Sequence, residues 1–442
     1  MLDLVVRAPR SVVDGEERGC EVGVREGRIE VVGEYGAELD AVTTVRLDDD
    51  VVLLPGLVDS HVHVNDPGRA DWEGFEHATR AAAAGGVTTI VDMPLNSLPP
   101  TTSVTALEAK RAAAEGRCHV DVAFWGGAMP GNRSDLHALW DAGVLGFKCF
   151  LADSGVEEFP ALDEEGLRAT AAAVASFGGL LLVHAEDPDA LVDVPAGRSY
   201  PAFAASRPES AEVSAVRAVV AAARATGCRT HVVHVAAGSA LPLLREAHDD
   251  GVPVSAETCP HYLSFTAEAV PEGATAFKCC PPLRDAANRD RLWDGLADGT
   301  LSMVVSDHSP APADLKALDA GDLDAAWGGI SSLQIGLPAV WTAAAARGHS
   351  LVDVARWMCA GPADRAGLRH KGRIAVGADA DLCVLAPDET FTVDPAALHH
   401  RHPVTPYAGK TLHGVVRETW LRGERLDLDG PPRGRLLRRE GP

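Results

Sequence analysis

The sequence predicts an α/β protein in which a (β/α)₈ TIM-like barrel carries a small β-sandwich domain built from both chain termini. The first observation is a set of eight apolar or β-branched runs that alternate with Ala-rich helical segments between residues 55 and 365. The second is that short strand-like segments precede this region and return after it. The third is length, because 442 residues exceed what one small hydrophobic core can organise.

The chain opens with strand-like segments that alternate apolar and polar residues. These runs are LDLVVRAP, CEVGVREGRIEVVG and TTVRLDDDVVLLPG. They predict a sheet with one solvent-exposed face over residues 1–54. Residues 366–442 return to the same pattern in GRIAVGADADLCVLAP, HGVVRETWLRG and ERLDLDG, so we expect them to complete that sheet. The final run, GPPRGRLLRREGP, is predicted to be a loosely held tail.

Eight strands are predicted in the central region, followed in most cases by helical segments that end in glycine. The strands are LVDSHVH (57–63), GVTTIVDM (86–93), HVDVAFWG (119–126), VLGFKCF (144–150), GLLLVHAE (179–186), THVVHVA (230–236), VPVSAET (252–258) and LSMVVSDH (301–308). A doubly wound sheet would need fewer strands and a Gly-rich phosphate turn after the first one, and DSHVHVND is not such a turn.

Composition restricts the partners and the compartment. Forty basic against 63 acidic residues give a net charge of −23, which disfavours nucleic acid as a partner. No apolar stretch approaches the length of a membrane span, and the N-terminal segment lacks the apolar core of a signal peptide. The nine cysteines are odd in number and scattered, which is typical of reduced thiols. The sequence therefore predicts a cytoplasmic protein with no membrane or nucleic-acid partner.

Polar residues lie near the C-terminal ends of five predicted strands, where barrels of this class carry their active sites. They are His61 and His63 on the first strand, Lys148 on the fourth, His184 on the fifth, His234 on the sixth and Asp307 on the eighth. Each histidine alone is more often a hydrogen-bonded structural residue than a ligand. Four imidazoles and a carboxylate at one edge favour Zn²⁺ or a similar divalent ion.

Spacing separates these histidines from the others. His61 and His63 are two residues apart, so both imidazoles are expected to point into the barrel. His231 is three residues from His234, and we expect it on the opposite face, deeper and structural. His308 could support the site from behind. The remaining candidates lack the combination of position and direction that a ligand needs; they are His119, His248 and His261.

Lys148 is unusual because a cluster of cations would repel an ammonium group. A neutral amine could add CO₂ and become a carbamate, whose two oxygens can bridge two metals. The same lysine could instead form a Schiff base with a carbonyl substrate, or a structural salt bridge with a neighbouring acid. The four histidines favour the carbamate, since a Schiff-base enzyme has no use for them.

These residues stand in motifs that resemble the cyclic amidohydrolases of the amidohydrolase superfamily. The motifs run from about residue 50 to residue 385: LPGLVDSHVHVNDPG, FKCF, LLVHAE, HVVHV, CPHYL, KCCPPLRD, VVSDHSP and GRIAVGADADL. Within this group the sequence most resembles the allantoinases, through DPGRADWEGFEHATRAAAAGGVTTIVDMPLN, GFKCFLADSG, ASRP, SDHSPAP and AWGGISSLQ. That resemblance implies hydrolysis of the cyclic amide of allantoin to allantoate in purine (ureide) breakdown.

The resemblance also implies a binuclear metal site. One ion would be held by His61, His63 and Asp307 and the other by His184 and His234, with Lys148, carbamylated by CO₂ to N6-carboxylysine, bridging them. Zn²⁺ is the default, and Co²⁺, Mn²⁺ or Ni²⁺ could use the same ligands. Asp307 would act as general base and then as general acid. Relatives of this group suggest a homotetramer.

Departures from sister enzymes bear on the substrate, which is expected to be a small cyclic ureide. Dihydroorotases of this type carry an arginine where this chain has Asn65, and hydantoinases and dihydropyrimidinases carry a tyrosine where it has Asp153. Asn96, Cys280 and Gly328 fall where relatives contact the ring amides. Three alternatives stay open at this stage: a hydantoinase or dihydropyrimidinase, a dihydroorotase, and a scaffold without catalytic activity.

Overall fold

A computed structural model describes residues 1–439 of the chain. The strands are β1 (Leu2–Val13), β2 (Glu16–Arg25), β3 (Arg28–Glu34), β4 (Ala41–Arg46), β5 (Val52–Pro55), β6 (Leu57–Val62), β7 (Val87–Asp92), β8 (Asp121–Phe124), β9 (Gly126–Gly127), β10 (Phe147–Phe150), β11 (Leu180–His184), β12 (Arg229–Val232), β13 (Val254–Thr258), β14 (Met303–Val304), β15 (Leu382–Thr392), β16 (Thr411–Leu421) and β17 (Glu424–Arg425). The α-helices are α1 (Phe75–Ala84), α2 (Val104–Ala114), α3 (Leu136–Asp141), α4 (Glu164–Ser176), α5 (Tyr200–Ser206), α6 (Glu209–Thr226), α7 (Leu241–Asp249), α8 (Pro260–Ser264), α9 (Ala286–Ala297), α10 (Gly336–Ala345), α11 (Leu351–Ala355) and α12 (Gly361–Ala366).

Strands β6 to β14 form the barrel, and all their ladders are parallel. One sheet runs β6-β7-β8 and the other β14-β13-β12-β11-β10-β9. Two backbone contacts close the ring. The His63 N–H donates to the His308 carbonyl at 2.8 Å, and the Leu145 N–H donates to the Phe124 carbonyl at 3.0 Å. Each of the eight predicted runs contains a barrel strand, so the predicted barrel is confirmed.

Local sequence explains where the helices between the strands begin and end. Asp163 and Asp285 cap α4 and α9 through side-chain oxygens that accept from backbone N–H groups of the first turn. Gly227 ends α6 in the left-handed conformation at φ 68°, which glycine adopts without steric cost. The apolar faces of these helices pack on the outside of the barrel and form the main hydrophobic core.

The strands at the two ends of the chain form one sheet of eight strands in the order β17-β16-β15-β5-β1-β2-β3, with β4 paired to β1. The sheet curls over a core of its own, so that the Ile29 N–H donates to the Ala378 carbonyl at 2.9 Å and the Ala380 N–H to the Gly27 carbonyl at 2.9 Å. The expectation that both termini build one sheet domain is confirmed. Its exact boundaries, residues 1–54 and 366–442, stay predictions.

The segment predicted to be a loose tail is instead bound to the barrel as far as residue 439. The Gly434 and Leu437 N–H groups donate to the Cys118 and Val122 carbonyls, both at 2.8 Å. A Cβ at Gly434 would lie 1.9 Å from the Val120 carbonyl oxygen, so glycine is required for this approach. Composition alone suggested mobility because it does not reveal the free edge of β8 that this segment pairs with. Residues 440–442 lie outside the described residues.

Within residues 1–439, none of the helices combines the length and the apolar character needed to cross a bilayer.

Candidate active site

The six side chains singled out at the strand ends all line one cavity of about 310 Å³ at the C-terminal end of the barrel. Each is at least nine-tenths buried, from 0% exposed for His61 and Lys148 to 8% for Asp307. Parallel strands bring their C-terminal ends to one edge of the barrel, which is why residues far apart in sequence meet here.

The first group at the bottom of this cavity consists of His61, His63 and Asp307. The Nε2 atoms of His61 and His63 lie 3.2 and 3.5 Å from Asp307 Oδ1. Their spacing of two residues at the end of β6 directs both histidines inward, while Val62 between them packs in the main hydrophobic core. Two imidazole nitrogens and a carboxylate oxygen therefore face one point.

The second group consists of His184 and His234 from β11 and from the end of β12. His184 Nδ1 lies 2.9 Å from His234 Nε2, and their ring centroids are 4.6 Å apart. His234 also joins the first group, since its ring centroid lies 5.4 Å from that of His61. The two groups are thus adjacent parts of one cluster.

Two of these residues have left-handed backbones, with φ 39° at His234 and φ 45° at Asp307. Non-glycine residues adopt this conformation at a cost of about 1–3 kcal/mol, and such residues concentrate at functional sites. This backbone also corrects the prediction for His231. The strand ends at Val232 and the chain turns before His234, so counting by alternation fails, and His231 faces the barrel interior below His61 rather than the opposite face. It is buried and hydrogen-bonded, as a structural residue would be.

Lys148 lies between the two groups in the cavity wall. Its Nζ is buried and has no hydrogen-bond partner among residues 1–439; the Phe150 ring lies 5.0 Å away. Burial lowers the pKa of Lys148 to about 8, so much more of the amine is neutral than in water. The salt-bridge alternative therefore lacks a partner in the described structure.

The electrostatics of the cluster suit divalent cations. Burial lowers the pKa of His63 to about 4 and also lowers the pKa values of His184 and His234, so these rings are neutral with lone pairs to donate. Burial opposes ionisation of Asp307, but the neighbouring imidazoles outweigh it and hold its pKa well below the usual range. Several buried nitrogen atoms make no hydrogen bond within residues 1–439, His61 Nε2 among them, and such atoms fit a metal centre.

Acidic residues orient the histidines from behind, and the sequence interpretation did not identify them. Glu257 at the end of β13 lies 2.5 Å from His61 Nδ1 and 2.9 Å from His231 Nε2. Burial raises its pKa, yet the two histidines bring it to about 2. Glu186 lies 2.7 Å from His184 Nε2 and is held in turn by Arg207 at 2.6 Å. In the sequence, both Glu257 and Glu186 could have been recognised as acidic residues near the C-terminal end of a predicted barrel strand.

We expect Glu257→Gln to weaken divalent metal binding about 10- to 100-fold, the usual effect of removing a carboxylate that orients a histidine ligand. The amide keeps the shape but loses the charge that fixes the His61 tautomer. Competition with a chelator would measure the affinity, and Glu246→Gln, on an exposed position of α7, is the matched control. Equal affinities in Glu257→Gln and wild type would contradict this role.

The residues predicted to contact substrate, Asn96, Cys280 and Gly328, all line the same cavity. Asp153 also lines it, and its carboxylate accepts from the Gly155 N–H at 3.1 Å. Asn65 is buried beside the cavity and donates to the Pro310 carbonyl at 3.3 Å. The contacts themselves stay predictions.

His308, predicted to support the site from behind, is buried directly after Asp307. Its Nδ1 accepts from the Ser332 N–H at 3.2 Å, and its Nε2 lies 3.4 Å from Glu73 Oε1. Through its carbonyl it also ties the end of β14 to His63. These contacts hold the segment that carries Asp307.

Two buried lysines hold the cavity wall that contains Gly328. Lys316 Nζ donates to the Trp327 and Gly329 carbonyls at 2.9 and 2.6 Å, and Lys278 Nζ donates to the Ala326 carbonyl at 2.6 Å. The wall residue Trp327 also packs edge-on against Trp72, with ring centroids 5.0 Å apart. Charge-assisted hydrogen bonds of this kind fix a loop that has no regular secondary structure of its own.

Lys316→Met should loosen this wall, because two carbonyls lose their donor and each unpaired buried group costs about 1–3 kcal/mol. We expect KM for the substrate to rise more than kcat falls. Steady-state kinetics would measure both, with Lys410→Met at an exposed lysine as the control. A change in kcat alone would show that the wall does not shape the binding site.

Comparison with known proteins assigns the chain to a family. The sequence pattern of the amidohydrolase family matches residues 52–426. The chain belongs to the amidohydrolase family. The six candidate metal ligands described above lie within the matched region.

Curated relatives of this amidohydrolase are similar over nearly their whole length. The chain is 58% identical to the allantoinase of Streptomyces avermitilis, over 99% of each chain. It is 44% identical to the allantoinase of Saccharomyces cerevisiae, over 94% of this chain and 91% of the relative.

Solved structures with the same architecture include the L-hydantoinase (dihydropyrimidinase) of Arthrobacter aurescens, at a TM-score of 0.92 and 29% identity over 99% of this chain and 100% of that one. The dihydropyrimidinase of Brevibacillus agri has a TM-score of 0.89 at 26% identity, over 99% of each chain.

Proposed function

We propose that this amidohydrolase opens the hydantoin ring of allantoin by hydrolysing its cyclic amide, which gives allantoate. The observation that carries the proposal is the complete set of six donor residues in one cavity of a chain that is 58% identical to an allantoinase over 99% of its length. A scaffold without catalytic activity would have no reason to keep six buried donors, several of them without partners in the described chain.

The residues fit two divalent ions, most simply Zn²⁺. His61, His63 and Asp307 would hold one ion and His184 and His234 the other, with Lys148 as a carbamate between them. Bound there, the ions would lower the pKa of a water molecule to about 7 and polarise the amide carbonyl. The neutral histidines and the partly neutral lysine are in the protonation states that this arrangement requires.

We assign the role of proton carrier in this reaction to Asp307. Its carboxylate is ionised, lies at the bottom of the cavity, and accepts a hydrogen bond from Ser309 Oγ at 3.1 Å. It would take the proton of the attacking water and give it to the ring nitrogen as the C–N bond breaks, so no proton is gained or lost overall. Its backbone is left-handed, and its side chain lines the cavity.

The lining of the cavity favours an uncharged ureide. Asn65 stands where dihydroorotases carry an arginine for the substrate carboxylate, and its amide is already bonded to the Pro310 carbonyl. Asp153 replaces the tyrosine of hydantoinases and dihydropyrimidinases. Amide-binding groups remain available at Asn96 and in the backbone at Cys280 and Gly328, and we assign the ring amides and the ureido group to them.

A substrate panel tests the proposal. Zinc-loaded protein is assayed with allantoin, hydantoin, dihydrouracil and dihydroorotate, and we expect kcat/KM for allantoin to exceed the others by about 10²-fold or more. His61→Ala should lose both metal and turnover while the barrel stays folded. Faster turnover of hydantoin or dihydrouracil would assign the chain to the hydantoinase or dihydropyrimidinase alternative. Absence of turnover on every substrate with two ions bound would refute the enzymatic proposal.

We also propose a cytoplasmic homotetramer, on different grounds. All nine cysteines are free, which suits a reducing compartment. The tetramer rests on the resemblance to this group of enzymes. Light scattering on the purified protein would give the mass of the assembly directly.

A further inference from the structure

A second cluster of possible ligands lies beside the catalytic one. Cys259, His261 and Asp307 each place one donor atom so that all three atoms lie within 4.8 Å of one another, and all three residues are buried. Cys259 follows β13 directly and His261 is in the first turn of α8. We propose that these three residues form an additional, inhibitory Zn²⁺ site that shares Asp307 with the catalytic centre.

The first support is an unexplained buried histidine. His261 is 0% exposed, and neither of its ring nitrogens has a hydrogen-bond partner within residues 1–439. Leaving such atoms unpaired is unfavourable, and a bound ion removes that penalty for the nitrogen that ligates it.

The second support is the sulfur. Cys259 is 0% exposed and free, and its thiol makes none of the hydrogen bonds found in the described part of the chain. Its sulfur lies within 4.8 Å of the donor atoms of His261 and Asp307, so one ion between them can reach all three.

Thiolate, imidazole and carboxylate together form a ligand set typical of zinc, with water as the fourth ligand. Ligand atoms in a tetrahedral zinc site lie on the order of 3.5 Å apart, so small side-chain rotations close the observed cluster. When Zn²⁺ binds, the Cys259 thiol loses its proton to solvent and its sulfur bonds to the ion, with no oxidation or reduction.

Sharing Asp307 explains why such an ion would inhibit. In the proposed function this carboxylate carries the proton from water to the leaving nitrogen, and a carboxylate bound to another cation is a poorer base. The inhibitory effect therefore rests on the proposed function, whereas binding of the additional ion does not. Occupancy should lower kcat at excess Zn²⁺.

The test uses the full-length protein already loaded with its catalytic zinc. Cd²⁺ is titrated in and the ultraviolet charge-transfer absorption of a cadmium–thiolate bond is followed, while equilibrium dialysis with excess Zn²⁺ counts the ions. Wild type should show the thiolate band and one more ion than the catalytic complement. Cys259→Ser and His261→Gln should lose that ion, and Cys259→Ser should also lose the band. Cys383→Ala, at a buried cysteine of β15, is the matched control and should keep both.

Several results would overturn the site. One is a wild-type protein that shows no thiolate band and takes up no additional ion, a result that does not depend on the folding of any variant. Another is a band that survives in Cys259→Ser but disappears in Cys280→Ser, because the half-buried Cys280 of the cavity would then be the ligand. Additional zinc that binds but leaves kcat unchanged would refute the inhibition. If the protein does not turn over allantoin, the proposed function fails, but the number of bound ions still tests the additional site.

Discussion

Replacement of Lys148 by alanine is expected to abolish turnover and to leave the protein short of divalent metal. The buried amine lies between the two ligand groups without a partner in the described chain, and its pKa is lowered to about 8. A carbamate at this position would be a ligand that both ions share, so its removal should reduce turnover to that of metal-depleted protein. Metal analysis and the allantoin assay measure the two effects.

Chemical rescue separates the three possible roles of Lys148. With a carbamate, a small carboxylate should partly restore Lys148→Ala, and metal-free wild type should regain activity faster with bicarbonate than in CO₂-depleted buffer. A Schiff base predicts neither effect, and predicts irreversible inactivation by borohydride with substrate present. A structural lysine predicts a destabilised protein whose folded fraction turns over normally. Normal metal content and activity in Lys148→Ala would refute the binuclear centre.

Asp307→Asn should separate chemistry from metal binding. The amide oxygen can still coordinate weakly, but it cannot accept the proton of the attacking water, so kcat should fall by at least about 10²-fold. The Ser309 hydroxyl can still donate to the amide oxygen, which preserves the local hydrogen bond. Steady-state kinetics at saturating metal would measure the loss.

Two comparisons make this result specific. Ser309→Ala removes the hydrogen bond to Asp307 without removing the carboxylate, and its effect on kcat should be much smaller than that of Asp307→Asn. A rate for Asp307→Asn within a few-fold of wild type, with both ions bound, would mean that another group accepts the proton.

The barrel and its six candidate ligands could be predicted because both depend on local patterns. Eight β-branched runs separated by helical segments permit few other architectures. The parallel strands of a barrel bring their last residues to the same end of the barrel, independently of how the side chains pack. His61, Lys148 and Asp307 could therefore be placed at that end without knowledge of any tertiary contact. The family motifs added the roles of these residues.

Local patterns specify which face of a strand a residue occupies only while the strand is regular. The left-handed backbone at His234 breaks the alternation by which His231 was expected on the opposite face, and the irregular pairing of β6 is equally invisible in the sequence. The C-terminal tail was expected to be loose. It pairs with the free edge of β8 because Gly434 permits a close backbone approach.

The sequence alone therefore determined the fold class, the family resemblance and the residues that line the centre of the cavity. Only the tertiary structure decided which groups stand behind and beside them: Glu257 between two histidines, Lys316 behind the cavity wall, and Cys259 with His261 next to Asp307. These contacts join strands and loops that are distant in the chain. Periodicity encodes the direction of a side chain along its own strand, whereas its neighbours across strands depend on register, turns and packing.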